Sequence, residues 1–332
     1  MKSRAQSAVF WLLILLLGIG SLGAIGPATA EAKVRIGVSD WPGWVAWYVA
    51  EQKGYFKKFG ADVELVWFPN YTDSISALSA GQLDANSQTW SDSLAPLAQG
   101  IPIQVILVND NSAGNDALLS TPVIASVSAL KGKTIALEAY SVSHFVLATA
   151  LKKNGMAMGD VEVVNLSAGD AAAAFLSGRV AGVVVWNPWV NQIQTSGKGK
   201  ALFTSRDMPG LIPDCLVAQT KSVMAHRADF LGMIRAWYET EKFLKANPAD
   251  AAAMMAKVVG LDVKDYQPFL KGTRFFAQAE NLKAFGGANT SESLLAVGPE
   301  IASFLVENKL LEGKVDFAKG LDSTLIKEVA GM

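Results

Sequence analysis

From Lys33 onward, strand patterns alternate with helical ones, and that rhythm restricts the chain to α/β architectures with mainly parallel sheets. Val34–Val38 reads as a first strand, and residues 45–59 carry a helical spacing of apolar side chains that stops at Gly60. Strands at 63–68, 83–87 and 103–108 alternate with helices at 73–80 and 91–98. The polar stretch Asn109-Asp110-Asn111-Ser112-Ala113-Gly114-Asn115-Asp116 interrupts the series, which then restarts. Strands are expected at Thr134–Leu137, 161–165, 180–185 and 202–204, with helices at 128–131, Val142–Lys153 and 170–176 between them. A strand at 216–218 follows, and beyond Ala225 the pattern is almost wholly helical.

This order predicts two Rossmann-like lobes. Residues 31–115 with 219–332 form the first, and residues 116–218 form the second together with the hinge. The helical carboxyl-terminal portion packs on the first lobe. Two crossings, near 116–119 and near 216–218, make the hinge. Solutes of such folds sit in the crevice outside the carboxyl ends of the strands, so the strand-end loops are where recognition is expected.

Residues 1–30 read as an export signal. Lys2 and Arg4 precede an apolar run at 9–25, and Ala28-Thr29-Ala30 offers a small-x-small cleavage triplet before Glu31. The run is nearly long enough to anchor in a bilayer, but Gly18, Gly20, Gly23, Gly26 and Pro27 favour removal. A periplasmic, monomeric protein is expected. Cleavage removes two bases and none of the 30 acids, leaving a mildly acidic chain without a basic cluster. Nucleic acid is therefore not an expected partner, because phosphate neutralisation needs clustered Lys and Arg. Cys215 is the sole cysteine and cannot form an internal disulfide, and with only His144 and His226 there is little material for a zinc or copper site. No metal, cofactor or catalytic residue is expected.

Several segments carry a resemblance. "VRIGVSDWPGW" (34–44), "VAEQKGYFKKFGADVELV" (49–66), "SALSAGQLDA" (76–85), "LKGKTIAL" (130–137) and "FLSGRVAGVVVWNPW" (175–189) resemble the nitrate/sulfonate/taurine-type binding proteins. That resemblance implies the type II periplasmic-binding fold and a receptor role in an ABC importer, with a membrane permease and an ATPase as partners. "NSAGNDAL" (111–118), "EAYSVSHFVLATAL" (138–151) and "SRDMPGLIPDCLVA" (205–218) resemble a narrower branch labelled as urea transporters, some of which accompany guanidine- or urea-degrading enzymes.

The loops give an independent reading. Segments 39–46, 68–75, 88–95, 109–120, 138–147, 166–171 and 186–194 contain no Lys or Arg, and Arg206 alone breaks the pattern in 205–214. The same loops carry Asp40, Asp92, Asp116, Glu138 and Asp214. Uncompensated carboxylates beside an anion repel it, so a cation or polar neutral solute fits better. Trp41, Trp44, Trp90 and Trp186 offer aromatic faces to a guanidinium or ammonium. Asn187 follows Trp186, and Ser141, Ser143 and His144 open a helix where one serine caps and another is free to face the cleft. Asp40, Trp41, Trp44, Trp90, Asp116, Glu138, Ser141, Ser143, His144, Trp186, Asn187 and Asp214 are thus the expected solute contacts. Asp92 reads instead as a complement to a helix dipole, Trp47 and Trp237 as core, and Trp67 as packed within its strand.

The leading expectation is a receptor that closes over guanidinium or a urea-like solute without transforming it. A sulfonate, taurine or nitrate receptor of the same fold is the alternative. An enzyme resembling pyrimidine-precursor synthases is a third reading, disfavoured because Ser91, Ser141 and Ser143 lack a His–acid set apart from His144, which adjoins Ser143.

Overall fold

The computed structural model describes residues 33–287 and 293–331, so the expected leader and its cleavage site lie outside the described residues. Along the chain run strands β1 (Val34–Val38), β2 (Val63–Trp67), β3 (Ala85–Thr89), β4 (Ile103–Ser112), β5 (Asp116–Ser120), β6 (Thr134–Leu137), β7 (Glu162–Asn165), β8 (Gly182–Trp186), β9 (Lys200–Thr204), β10 (Pro213–Gln219) and β11 (Thr273–Phe275). One sheet has the order β11-β4-β10-β3-β1-β2 and the other β7-β6-β8-β5-β9. Helices flank both sheets, as the alternation predicts.

The sheets are mixed rather than mainly parallel. β1 pairs parallel with β2 and β3, and β6 with β7 and β8, but β10 runs antiparallel to β3 and β4, and β5 antiparallel to β8 and β9. The cause is the crossing itself. A chain leaving the carboxyl edge of one sheet enters the other sheet at that sheet's carboxyl edge, so its first strand there must run backwards. β5 and β10 are those two strands. The sequence marks both as hinge crossings, 216–218 also as a short strand, because apolar runs of three and four residues beside polar linkers carry little period.

The chain crosses between sheets at 113–115 and again at 205–212. The second crossing therefore precedes the segment expected at 216–218, and the expected boundary at residue 218 falls inside β10 of the first sheet. Ser205 ties the crossings together: its Oγ donates to Ser112 Oγ at 2.7 Å and accepts from Gly114 N at 2.6 Å. Asn115 anchors the first crossing, donating through Nδ2 to the Phe269 carbonyl at 2.9 Å and to Thr273 Oγ1 at 2.8 Å.

The helix expected over 45–59 is two, Pro42–Gln52 and Tyr55–Lys58, because Gly54 takes a left-handed conformation with φ of 69°. Pro42 fits the first turn, where its missing N–H is unneeded. Trp47 and Trp237 are fully buried against each other, with ring centroids 4.7 Å apart. Each buries on the order of 200 Å², about 5 kcal/mol at 25 cal/mol per Å². This contact holds the helix Arg227–Ala246 onto the first lobe, as the sequence led us to expect. Trp67 departs from expectation: it is 38% exposed. Among the described residues no helix is long and apolar enough to cross a membrane.

Candidate functional site

A small hollow, with a cavity volume of only about 10 Å³, lies between the two sheets, beside both crossings. Trp41, Trp44, Tyr71 and Thr89 reach it from the first lobe, Val142 and Trp186 from the second, and Asp116, Ile212 and Asp214 from the strands and loop at the crossings. Its aromatic walls are contiguous. Trp41 and Trp44 have centroids 6.3 Å apart, Trp44 and Tyr71 5.0 Å, and Tyr71 meets Trp186 edge-on at 5.8 Å and 88°. Trp44 is held in place by packing alone, since its buried Nε1–H has no hydrogen-bond partner within the protein.

Two acids stand against this box. Asp116, at the start of β5, accepts from Ser112 Oγ, and burial pushes its carboxyl up to about 7. Asp214, near the start of β10, is 1% exposed, and its Oδ2 accepts no hydrogen bond. Behind it, Asp110 accepts from the Trp41 indole at 3.0 Å. Among the described residues no Lys or Arg lines the hollow. Arg206 turns away, donating from Nε to the Ala113 carbonyl at 3.1 Å.

The other acids do something different. Asp40, at the end of β1, accepts from the indoles of Trp186 at 2.7 Å and Trp189 at 2.8 Å, both on the second lobe. Burial raises its carboxyl to about 6 despite those two donors. Glu138 follows β6 on the second lobe, and its Oε1 accepts from the backbone N and the hydroxyl of Thr72 on the first, each at 2.7 Å. Asp92 accepts from Tyr71 OH at 2.9 Å and, across the cleft, from Val142 N at 3.0 Å; burial raises it to about 6. Asp92 does lie in a helix's first turn, where its backbone N is capped by Thr89, but its side chain bridges the lobes. Lys152 with Glu307 at 2.6 Å, and Phe145 with Phe304 at 5.3 Å, join the lobes away from the hollow.

Of the twelve expected contacts, the hollow brings together Trp41, Trp44, Asp116, Trp186 and Asp214. Asp40 and Glu138 sit at its rim as bridges. Trp90 points into the first lobe, donating to the Leu294 carbonyl at 3.2 Å and packing on Phe317, because the helix it opens directs it away from the cleft. Ser141 caps the helix Val142–Lys153, accepting from Ser143 N and donating to the Glu138 carbonyl. Ser143 is buried without a hydrogen-bond partner for its hydroxyl, outside the hollow. His144 lies edge-on to Tyr140, and burial lowers its pKa. Asn187 donates to Asn115 Oδ1 at 3.0 Å, which fastens the second lobe to the first crossing. Tyr71, Thr89, Val142, Ile212 and the supporting Asp110 were not expected. The Asp110 signal was available, since it sits in the polar stretch after the central strand.

Comparison with known proteins agrees with this architecture. The family described as NMT1/THI5 like matches residues 41–251, more than half of the chain. A "Putative aliphatic sulfonates-binding protein" of Bacillus subtilis (strain 168) is 26% identical over 323 residues, covering 95% of this chain and 93% of its own. The taurine-binding periplasmic protein of Escherichia coli (strain K12) is 32% identical over 144 residues, 43% of this chain and 45% of its own. The structure of the alkanesulfonate-binding protein of Xanthomonas axonopodis pv. citri, bound to MOPS, superposes with a TM-score of 0.76 at 20% identity, over 89% of this chain and 99% of that one.

Proposed function

The chain belongs to the NMT1/THI5-like family, and on that premise we propose that it is the periplasmic solute-binding receptor of an ABC importer. It captures one small solute between its lobes and presents the closed form to a membrane permease driven by an ATPase. Closure is a shift between open and shut lobes, favoured by contacts that form only when both lobes meet. Asp40, Asp92 and Glu138 supply such contacts at the rim. The hollow offers no paired nucleophile and histidine base, which favours binding over catalysis.

The solute is the finer question. The relatives' names favour a sulfonate or taurine, and with them the sulfonate, taurine or nitrate alternative, over guanidinium or urea. The side chains argue the other way. The observation that carries the reading is an aromatic box bearing Asp116 and Asp214, with no Lys or Arg on its walls. Aromatic faces and carboxylates attract cations, each face contributing roughly 0.5–2 kcal/mol. Guanidinium has flat N–H edges that carboxylates grip and a face that indoles cover. Urea has the same shape, and its carbonyl could accept from Trp44 Nε1. We therefore assign a small planar nitrogen compound, guanidinium first and a urea-like amide second.

A thermal-shift series with guanidinium, urea, taurine, ethanesulfonate and nitrate separates these readings. Saturation at a hundredfold excess over Kd stabilises the fold by about 2.7 kcal/mol. Guanidinium or urea should raise Tm and be recovered chemically unchanged. A rise with taurine or ethanesulfonate alone would establish the oxyanion reading, and turnover of solute would remove the receptor assignment.

A further inference from the structure

Asp110 and Asp214 stand directly opposite each other on the antiparallel strands β4 and β10, and each keeps a buried carboxyl oxygen, Oδ2, without a hydrogen-bond partner. Two carboxyl oxygens form a hydrogen bond only when a proton sits between them. Asp110 cannot turn aside. Trp41 holds its Oδ1, and Gly43 lies so close to Oδ2 that a Cβ there would approach to 1.9 Å. Asp214 reaches the hollow and leaves Oδ2 without a donor.

Among the described residues the pair's charged neighbours are acids, Asp116 on β5 and Asp92 on the helix Trp90–Ala98. Cys215 beside Asp214 and Tyr266 on the helix Val263–Lys271 are neutral, with burial pushing both pKa values well up. β11 places Phe275 opposite Asp110, while Arg274 lays its guanidinium on the Phe276 ring at 5.1 Å. Burial raises both carboxyls, and the neighbouring acids raise Asp214 further. Among the described residues no three His, Cys, Asp or Glu converge as metal ligands would.

We propose that Asp110 and Asp214 share one proton in the solute-free protein, and that a cationic solute entering the hollow displaces it. The idea rests on the cationic reading above. The exchange balances in charge: one cation enters, one proton leaves to solvent, and the pair passes from one negative charge to two, with no other bond changed. Asp110 then determines specificity without touching the solute. It keeps the solute-free pair at a single negative charge and leaves a full carboxylate for a cation alone to uncover.

Infrared spectroscopy of the solute-free protein near neutral pH should show, beside the contribution of Asp116, a protonated-carboxyl C=O component that disappears in both Asp110→Asn and Asp214→Asn. Both residues lie in the first sheet, so the band does not depend on closure. Calorimetry with guanidinium chloride, in two buffers of different ionisation heat, should report about one proton released per cation bound. In Asp110→Asn the amide keeps an acceptor for Trp41 and gains a donor for Asp214, so guanidinium should still bind with little proton release. A wild-type band that neither variant reduces, or guanidinium binding without proton release, would overturn the exchange and leave the solute reading standing. Taurine binding with proton uptake, and none of guanidinium, would instead remove the cationic reading on which the exchange depends.

Discussion

Two sets of carboxylates face the cleft, and their hydrogen-bond partners tell them apart. Asp110, Asp116 and Asp214 lie in strands at the crossings, with partners in the first lobe or beside the first crossing. Asp40, Asp92 and Glu138 have partners on the opposite lobe. The floor set exists whether the cleft is open or shut, while the rim set acquires its cross-lobe partners only on closure. A count of acids in strand-end loops merges the two. Only the floor set is placed to sense the charge of a solute, and the rim set is placed to govern how long the lobes stay shut.

The largest effect should come from the floor. Asp214→Asn removes a charge-assisted hydrogen bond of about 1.5–3 kcal/mol, so titration calorimetry should find guanidinium roughly 10- to 100-fold weaker, with urea much less affected. An equal loss for both solutes would erase the distinction drawn for the floor.

The rim should answer in kinetics. Asp40→Asn leaves one oxygen to serve two indole donors, so one N–H loses its partner. A loss of about 1–1.5 kcal/mol predicts roughly tenfold faster guanidinium release in stopped-flow fluorescence, with the association rate and the melting temperature almost unchanged. A change confined to the association rate would place Asp40 on the entry path rather than at the latch.

Acid should favour closure of the solute-free protein. Asp40 and Asp92 rise from 3.8 to about 6 when shut between the lobes. A group whose pKa is higher in the closed form binds its proton there more tightly. The resulting stabilisation of the closed form is complete below about pH 4 and is lost as pH rises through 6. The sedimentation coefficient of the solute-free protein should therefore fall modestly between pH 4.5 and 7.5. A change in the opposite direction would contradict the rim assignment. The smallest effect belongs to Glu138→Gln, because Oε1 alone accepts both Thr72 bonds and the amide keeps that oxygen. Guanidinium affinity should drop only a few-fold.

These contrasts also mark what could be read in the sequence. The strand and helix period located both lobes, and the strand-end rule pointed to Trp41, Trp44, Trp186, Asp116 and Asp214, which line the hollow. It failed where direction mattered more than position. Trp90 follows a strand end, but the first turn of its helix swings it into the core beneath Leu294. Tyr71 and Val142 open their helices and reach the hollow only because the two lobes close on each other. Asp110 read as linker, yet β4 continues through it to Ser112, fully buried under Gly43. Partnership across a cleft leaves no local trace in one chain, so the bonds of Asp40 to Trp186 and Trp189 and of Glu138 to Thr72 could not be read from the sequence.

Small-angle scattering of the wild-type protein at neutral pH tests the central claim most directly, that closure is driven by a solute matched to the acidic floor. Saturating guanidinium should reduce the radius of gyration, and the same concentration of taurine should leave it unchanged. Compaction by taurine with none by guanidinium would contradict the account.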